Sequence, residues 1–195
     1  MVFHELVSDL VHIDVHHVPP GPDREFHTLF TSGMSDRPMT VSDEAEEYQF
    51  AELLICLPVD WKLTQTDFKD EQNYWPIRLI KSLARLPHEY DTWLGVGHTV
   101  PNGDPPEPYA PGTRFCCAML VSPLRFDSQL AALKLADGRI INFYCVWPLL
   151  PEEVEFKLQH GFDDLMQRLR ARGVNEVIES DRESGVRRRW WPWSH

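Results

Sequence analysis

Apolar and polar residues alternate from Val11 to His16, with Val11, Ile13 and Val15 on one side and His12, Asp14 and His16 on the other. A period of two marks a strand with one buried face. Pro19-Pro20-Gly21-Pro22-Asp23 supplies a turn and Phe26 to Thr31 returns, which predicts a hairpin. Thr31 to Val41 reads as a polar loop. The acidic run Asp43 to Glu47 leads into a strand from Tyr48 to Leu57, whose unbroken apolar end predicts a central position in a sheet. Arg114 to Val121 predicts another buried strand. Leu130 to Leu135 and Ile140 to Trp147 predict a second hairpin about Asp137-Gly138.

The period changes to that of a helix in the middle of the chain and near its end. Ile77, Ile80, Leu83 and Ala84 form one apolar stripe, with Asn73 as the expected N-cap and Pro76 in the first turn. Pro87 is expected to stop this helix and start a second, His88 to Leu94, ended by Gly95. Arg78, Lys81 and Arg85 line the other flank, either as a solvated face or as a dock for an acidic partner. Pro151 opens a further helix, Gly161 interrupts it, and Phe162, Leu165, Met166 and Leu169 make the stripe of the next. Asp163 and Asp164 near its start and Arg168, Arg170 and Arg172 near its end suit the helix dipole, and Gly173 is a natural stop. This order predicts an α+β fold: a mixed, mostly antiparallel sheet flanked by helices. Residues 1–172 are expected to form the domain and residues 173–195 a C-terminal tail.

Composition narrows the class. At 195 residues and 43% hydrophobic content the chain can bury a full core as one domain. Its net charge of -11 argues against nucleic acid and anionic membrane surfaces as partners and favours a basic protein partner. No apolar run is long enough to span a bilayer. His4, Glu5 and Asp9 fall where a leader peptide would be apolar, so a cytoplasmic location is expected. Cys56, Cys116, Cys117 and Cys145 lie in apolar runs without paired spacing, which predicts buried, reduced thiols.

Four segments carry a family resemblance: TSGMSDRPM (Thr31 to Met39), AELLICLPVDW (Ala51 to Trp61), the run from Tyr74 to Gly103, and YAPGTRFCCAMLVSP (Tyr109 to Pro123). With FYCVWPLLPEEVEF (Phe143 to Phe156) and the last helix, the chain resembles the bacterial branch of the Suppressor of fused domain family up to about Arg172. That resemblance implies a mixed sheet flanked by helices and a non-enzymatic, protein-binding role, with no catalytic residues and no cofactor. The animal relative grips a short peptide between two domains, and this chain resembles only the N-terminal one. Bacterial relatives are regarded as immunity proteins that neutralise toxins, so a toxin-like partner encoded nearby is expected. Family members also carry a helix before the point where this chain begins, which points to a late start codon or a truncated gene model.

Three constellations compete with that reading. His12, Asp14, His16 and His17 are the most metal-like group, but a flat strand spreads alternate residues ~6–7 Å apart, too far for tight convergence, and no metal is expected. Ser32, Ser35 and Asp36 with His88 and His98 supply residue types for acyl transfer, yet Gly33-Met34-Ser35-Asp36-Arg37 lacks the second glycine of a nucleophile elbow. Asp36, Arg37, His98 and Asn102 are expected instead to be structural, fixing two neighbouring loops by hydrogen bonds. Arg187 to Trp193, a basic tail with three tryptophans, is expected to fold back on the acidic body. The first candidate for a partner surface is the acidic run, Asp43, Glu44, Glu46 and Glu47. The alternatives to an immunity or sequestering protein are an unrecognised enzyme with a loop-built site and a regulatory subunit of a larger complex.

Overall fold

The structure, a computed structural model, describes residues 2–3, 10–126 and 131–186. Eight strands form one mixed sheet: β1 (Val2–Phe3), β2 (Asp14–Val18), β3 (Phe26–Ser32), β4 (Ala51–Pro58), β5 (Thr99–Pro101), β6 (Cys117–Val121), β7 (Ala132–Lys134) and β8 (Ile140–Leu149). The order is β1-β2-β3-β4-β8-β6-β5, with β7 also on β8. Among the described strands only the β4–β8 pairing is parallel, so the expected mixed, mostly antiparallel sheet is what forms.

Helix α1 (Glu71–Glu89) covers one face of the sheet. Its Trp75, Ile80, Leu83 and Ala84 pack with Ile13, Val15, Leu29, Leu53 and Ile55. On the other face Leu165, Met166 and Leu169 of α3 (Phe162–Ala171) pack with Cys56, Met119, Cys145 and Trp147. A central strand between two apolar layers has no polar side to show, which is why β4 is buried from Ala51 to Leu57. All four cysteines are buried and free, as their apolar surroundings predict.

Two expectations about α1 are corrected. The cap is Asp70, whose Oδ1 accepts from the Gln72 backbone N–H at 3.0 Å; Asn73 instead donates to the Asp67 carbonyl. Pro87 does not divide the segment in two. It lies within the last turn, where its missing N–H costs one bond while the Leu86 and Pro87 carbonyls accept from Tyr90 and Thr92. The basic flank is half-exposed and partly tied to the body: Arg78 bonds Glu71 and the Tyr109 carbonyl, and half-buried Lys81 has its pKa lowered by burial, against the pull of Asp14.

Helix α2 (Pro151–His160) and α3 meet at Gly161, as the sequence predicts. The residues after Gly173 then return to the body. β4 and β8 pair only along Ala51–Leu54 and Asn142–Cys145, and beyond Leu54 a bridge from Val177 to Cys56 takes up the free edge of β4. Ile178 joins the α1-side core. Arg182 forms a buried ion pair with Glu153, which is fully enclosed and also accepts from the backbone of Leu150 and Gly185. Thus residues 174–186 of the segment expected as a tail are packed structure. Arg187 to Trp193 lie outside the described residues.

Candidate functional site

Loop residues 38–50 and 90–98 meet beside the C-terminal end of α1. The Thr40 N–H donates to the Thr92 carbonyl, the Leu94 N–H donates to the Met39 sulfur at 3.5 Å, and Met39 N–H bonds Gln49. Between these ties the run Asp43–Tyr48 folds into short 3-10 turns with a kink at Ala45. A tight turn of this kind has no buried face, and its carboxylates stand in solvent: Asp43, Glu44, Glu46 and Glu47 are all exposed.

Tyr48 ends the turn and starts an aromatic row. Its ring stacks on Trp93 at 6.3 Å, and Trp93 meets His98 edge-on at 4.5 Å. Gly95 is required here, because a Cβ at that position would lie 2.6 Å from the Trp93 ring. Tyr90, the most exposed aromatic of the region at 73%, stands close in sequence with Glu89 and Asp91. Glu47 hydrogen-bonds the Tyr48 phenol and so raises its pKa. Beneath them the Tyr144 hydroxyl is buried without a hydrogen-bond partner; burial, and then the charges of Tyr48 and Glu47, push its pKa up to about 12. On the far side of the turn an open groove of about 470 Å³ runs between Glu46, Glu47 and Phe50 and the hairpin residues Asp137, Arg139 and Ile140. Phenol and indole faces ringed by carboxylates attract cations, through the ring quadrupole and through charge.

The other residues singled out from the sequence separate. Asp36 and Arg37 are exposed, and no side-chain hydrogen bond or ion pair joins them among the described residues. Asn102 ties its own loop, donating to the Glu107 and Pro108 carbonyls, and His98 belongs to the aromatic row. The polar anchor of the Thr31 to Met39 loop is one the sequence reading missed. Glu52, 3% exposed on β4, accepts from the Thr31 hydroxyl at 2.6 Å, the Ser35 hydroxyl at 2.7 Å and the Ser35 N–H at 3.0 Å. Burial raises its pKa against those bonds. The signal was there: a lone carboxylate inside an apolar strand.

These bonds leave little for acyl transfer. Ser35 is occupied by Glu52, and the His88 Nε2 by the Met34 carbonyl. Ser32 and His16 do lie 2.7 Å apart. Ser32, however, sits on a strand without the strained turn and paired backbone donors that a nucleophile needs, and the His16 ring is stacked on Phe30. A second cleft, about 430 Å³, is lined by Asp60, Trp61, Lys62, Gln72, Glu179 and Asp181. Ser180 and Thr113 also line it, and no side-chain hydrogen bond joins either hydroxyl to a carboxylate among the described residues. The strand trio is likewise divided, since His12 pairs with Asp14 at 3.3 Å while His16 is held by Ser32.

Residues 9–183 match the family model for the Suppressor of fused protein (SUFU). No curated protein matches the chain. Among solved structures, a Suppressor of fused homologue from Neisseria gonorrhoeae aligns with a TM-score of 0.69 at 18% identity, over 97% of this chain and 88% of that one. Drosophila Suppressor of Fused aligns with a TM-score of 0.60 at 16% identity, over 90% of this chain and 43% of the fly protein, so this chain spans under half of it. The Sufu–Fu complex gives a TM-score of 0.59 at 15% identity, covering 90% of this chain and 78% of that chain. At these identities the structural likeness speaks for the fold. None of the described helices is long and apolar enough to cross a membrane.

Proposed function

The chain belongs to the Suppressor of fused family, and on that premise we propose that it is a non-enzymatic binding protein, cytoplasmic, that sequesters a basic protein partner. The partner is toxin-like, which makes this chain an immunity protein. The observation that carries the reading is the aromatic row of Tyr48, Trp93 and His98 beside the exposed carboxylates of Asp43, Glu44, Glu46 and Glu47. Tyrosine and tryptophan are the side chains that most often dominate binding energy at interfaces. The carboxylates add long-range attraction, which raises the encounter rate with a basic surface. The Sufu–Fu complex supports the same class of role, since there a relative is held against another protein.

Co-expression with the product of the adjacent gene, followed by association kinetics at low and high salt, tests the proposal. The expected result is a stable complex whose association slows at least tenfold when Glu44, Glu46 and Glu47 become lysine, and whose dissociation speeds when Trp93 becomes alanine. Turnover of a small-molecule substrate by the purified chain, with no partner among the neighbouring products, would sink it.

A further inference from the structure

The β2–β3 hairpin brings together two histidines that the sequence keeps ten residues apart. His17 Nε2 lies 2.8 Å from His27 Nδ1, with ring centroids 4.9 Å apart. Both side chains are half-buried. The second nitrogen of His27, Nε2, lies 3.1 Å from the Val59 carbonyl oxygen. A carbonyl only accepts, so Nε2 carries the proton, and Nδ1 of the neutral ring is a bare lone pair aimed at His17. His17 then serves as the donor through its Nε2–H.

This is the arrangement of a metal-ligating histidine, whose outer N–H is held by a carbonyl that fixes the tautomer and the ring plane. The second ligand needs only a shift of the His17 proton from Nε2 to Nδ1, with no net change of charge. We propose that His17 and His27 form a two-imidazole site for a borderline divalent transition metal ion, zinc or copper, with water in the remaining positions. Zn–N bonds of ~2.0–2.1 Å in tetrahedral geometry require the two nitrogens to open from 2.8 Å to roughly 3.4 Å, a small rotation of two side chains. Neutral imidazole suits zinc and copper, whereas magnesium and calcium prefer oxygen. The strand trio of His12, Asp14 and His16 is not part of this site. His12 and His16 occupy other positions on β2 and its approach, and His16 is held by Ser32. A bound ion links β2, β3 and, through the Val59 carbonyl, the turn after β4.

Calorimetric titration of the full-length protein with zinc, copper(II) and magnesium chlorides tests the site. One equivalent of zinc is expected at micromolar affinity, copper tighter, as the order of divalent affinities requires, and magnesium not at all. His27→Ala should weaken zinc binding at least tenfold. So should His17→Gln, whose amide N–H still reaches His27 Nδ1 and therefore keeps the hairpin folded, as circular dichroism of the metal-free protein will report. The His12→Ala/His16→Ala double variant should bind zinc as the parent does. Absence of zinc and copper binding by the parent, retention by both His17→Gln and His27→Ala, or loss only in the His12/His16 variant overturns the proposal.

Discussion

Two sets of carboxylates near the head of β4 lie within ten residues of each other and do opposite things. Glu52 is enclosed and accepts three hydrogen bonds from Thr31 and Ser35. Asp43, Glu44, Glu46 and Glu47 stand in solvent on a turn held by backbone hydrogen bonds. The first is architecture, since removing it leaves buried donors without acceptors. The second is solvated surface charge, with only Glu47 engaged, at the Tyr48 phenol; it adds little to stability and is available to a partner. Net charge alone cannot tell them apart. What separates them is whether the backbone around the carboxylate supplies enough donors to replace water.

The comparison breaks most sharply at Glu153, the most enclosed carboxylate, which Arg182 grips from the segment after α3. Arg182→Ala leaves that charge buried with only backbone donors. A loss of about 3–5 kcal/mol is expected, read from the urea midpoint. A loss below ~1 kcal/mol would mean that water reaches Glu153 and that the segment 174–186 is not needed for the fold.

Glu52→Ala comes next. It orphans the Ser35 N–H and hydroxyl, while the Thr31 hydroxyl keeps Leu53, and should cost about 2–4 kcal/mol. Glu52→Gln should cost less, because one carbonyl oxygen still accepts from Ser35. Asp36→Ala, one residue along the same loop, should leave the melting temperature within about 2 °C, since its side chain is exposed. Equal losses for Asp36→Ala and Glu52→Ala would erase the distinction and return the anchoring role to Asp36 and Arg37.

The architecture was largely legible in the sequence, and the reason is periodicity. Alternation in Val11 to Val15, the continuous apolar run of Ala51 to Leu57 and the stripe of Leu165, Met166 and Leu169 each follow from which face is buried. What stayed hidden depends on partners distant along the chain. Glu52 meets Ser35 and Glu153 meets Arg182 only after folding, and no local pattern records such a meeting. Proline was misread for the opposite reason: a local rule about Pro87 gave way to packing, as α1 runs on through Pro87 and buries it along with Leu83 and Ala84. For the site, charge pointed to the acidic turn, but nothing in sequence joins Tyr48 to Trp93 or His98.

Replacing Glu44, Glu46 and Glu47 with lysine should move the melting temperature by no more than about 2 °C, because each side chain is solvated in both states. The same change should slow association with a basic partner at least tenfold at low salt, and the difference should shrink at high salt as the charges are screened. Loss of stability comparable to that of Glu52→Ala would show that the turn is structural after all.

The smallest effect expected lies between the two extremes, at a group neither enclosed nor free. His17 is half-buried, and its pKa is lowered from the ordinary value of 6.5 first by loss of hydration and then by the nearby His27. A histidine with a depressed folded-state pKa binds protons more readily in the unfolded chain. Stability is therefore complete above 6.5 and is lost as the pH falls from there through the lowered value. Denaturation at pH 7.5 and at pH 5.5 should show a weaker fold at the lower pH. His17→Gln should reduce that difference without removing it, because other groups also titrate in this range. If His17→Gln leaves the pH dependence unchanged, water reaches this ring more freely than its packing against His27 implies.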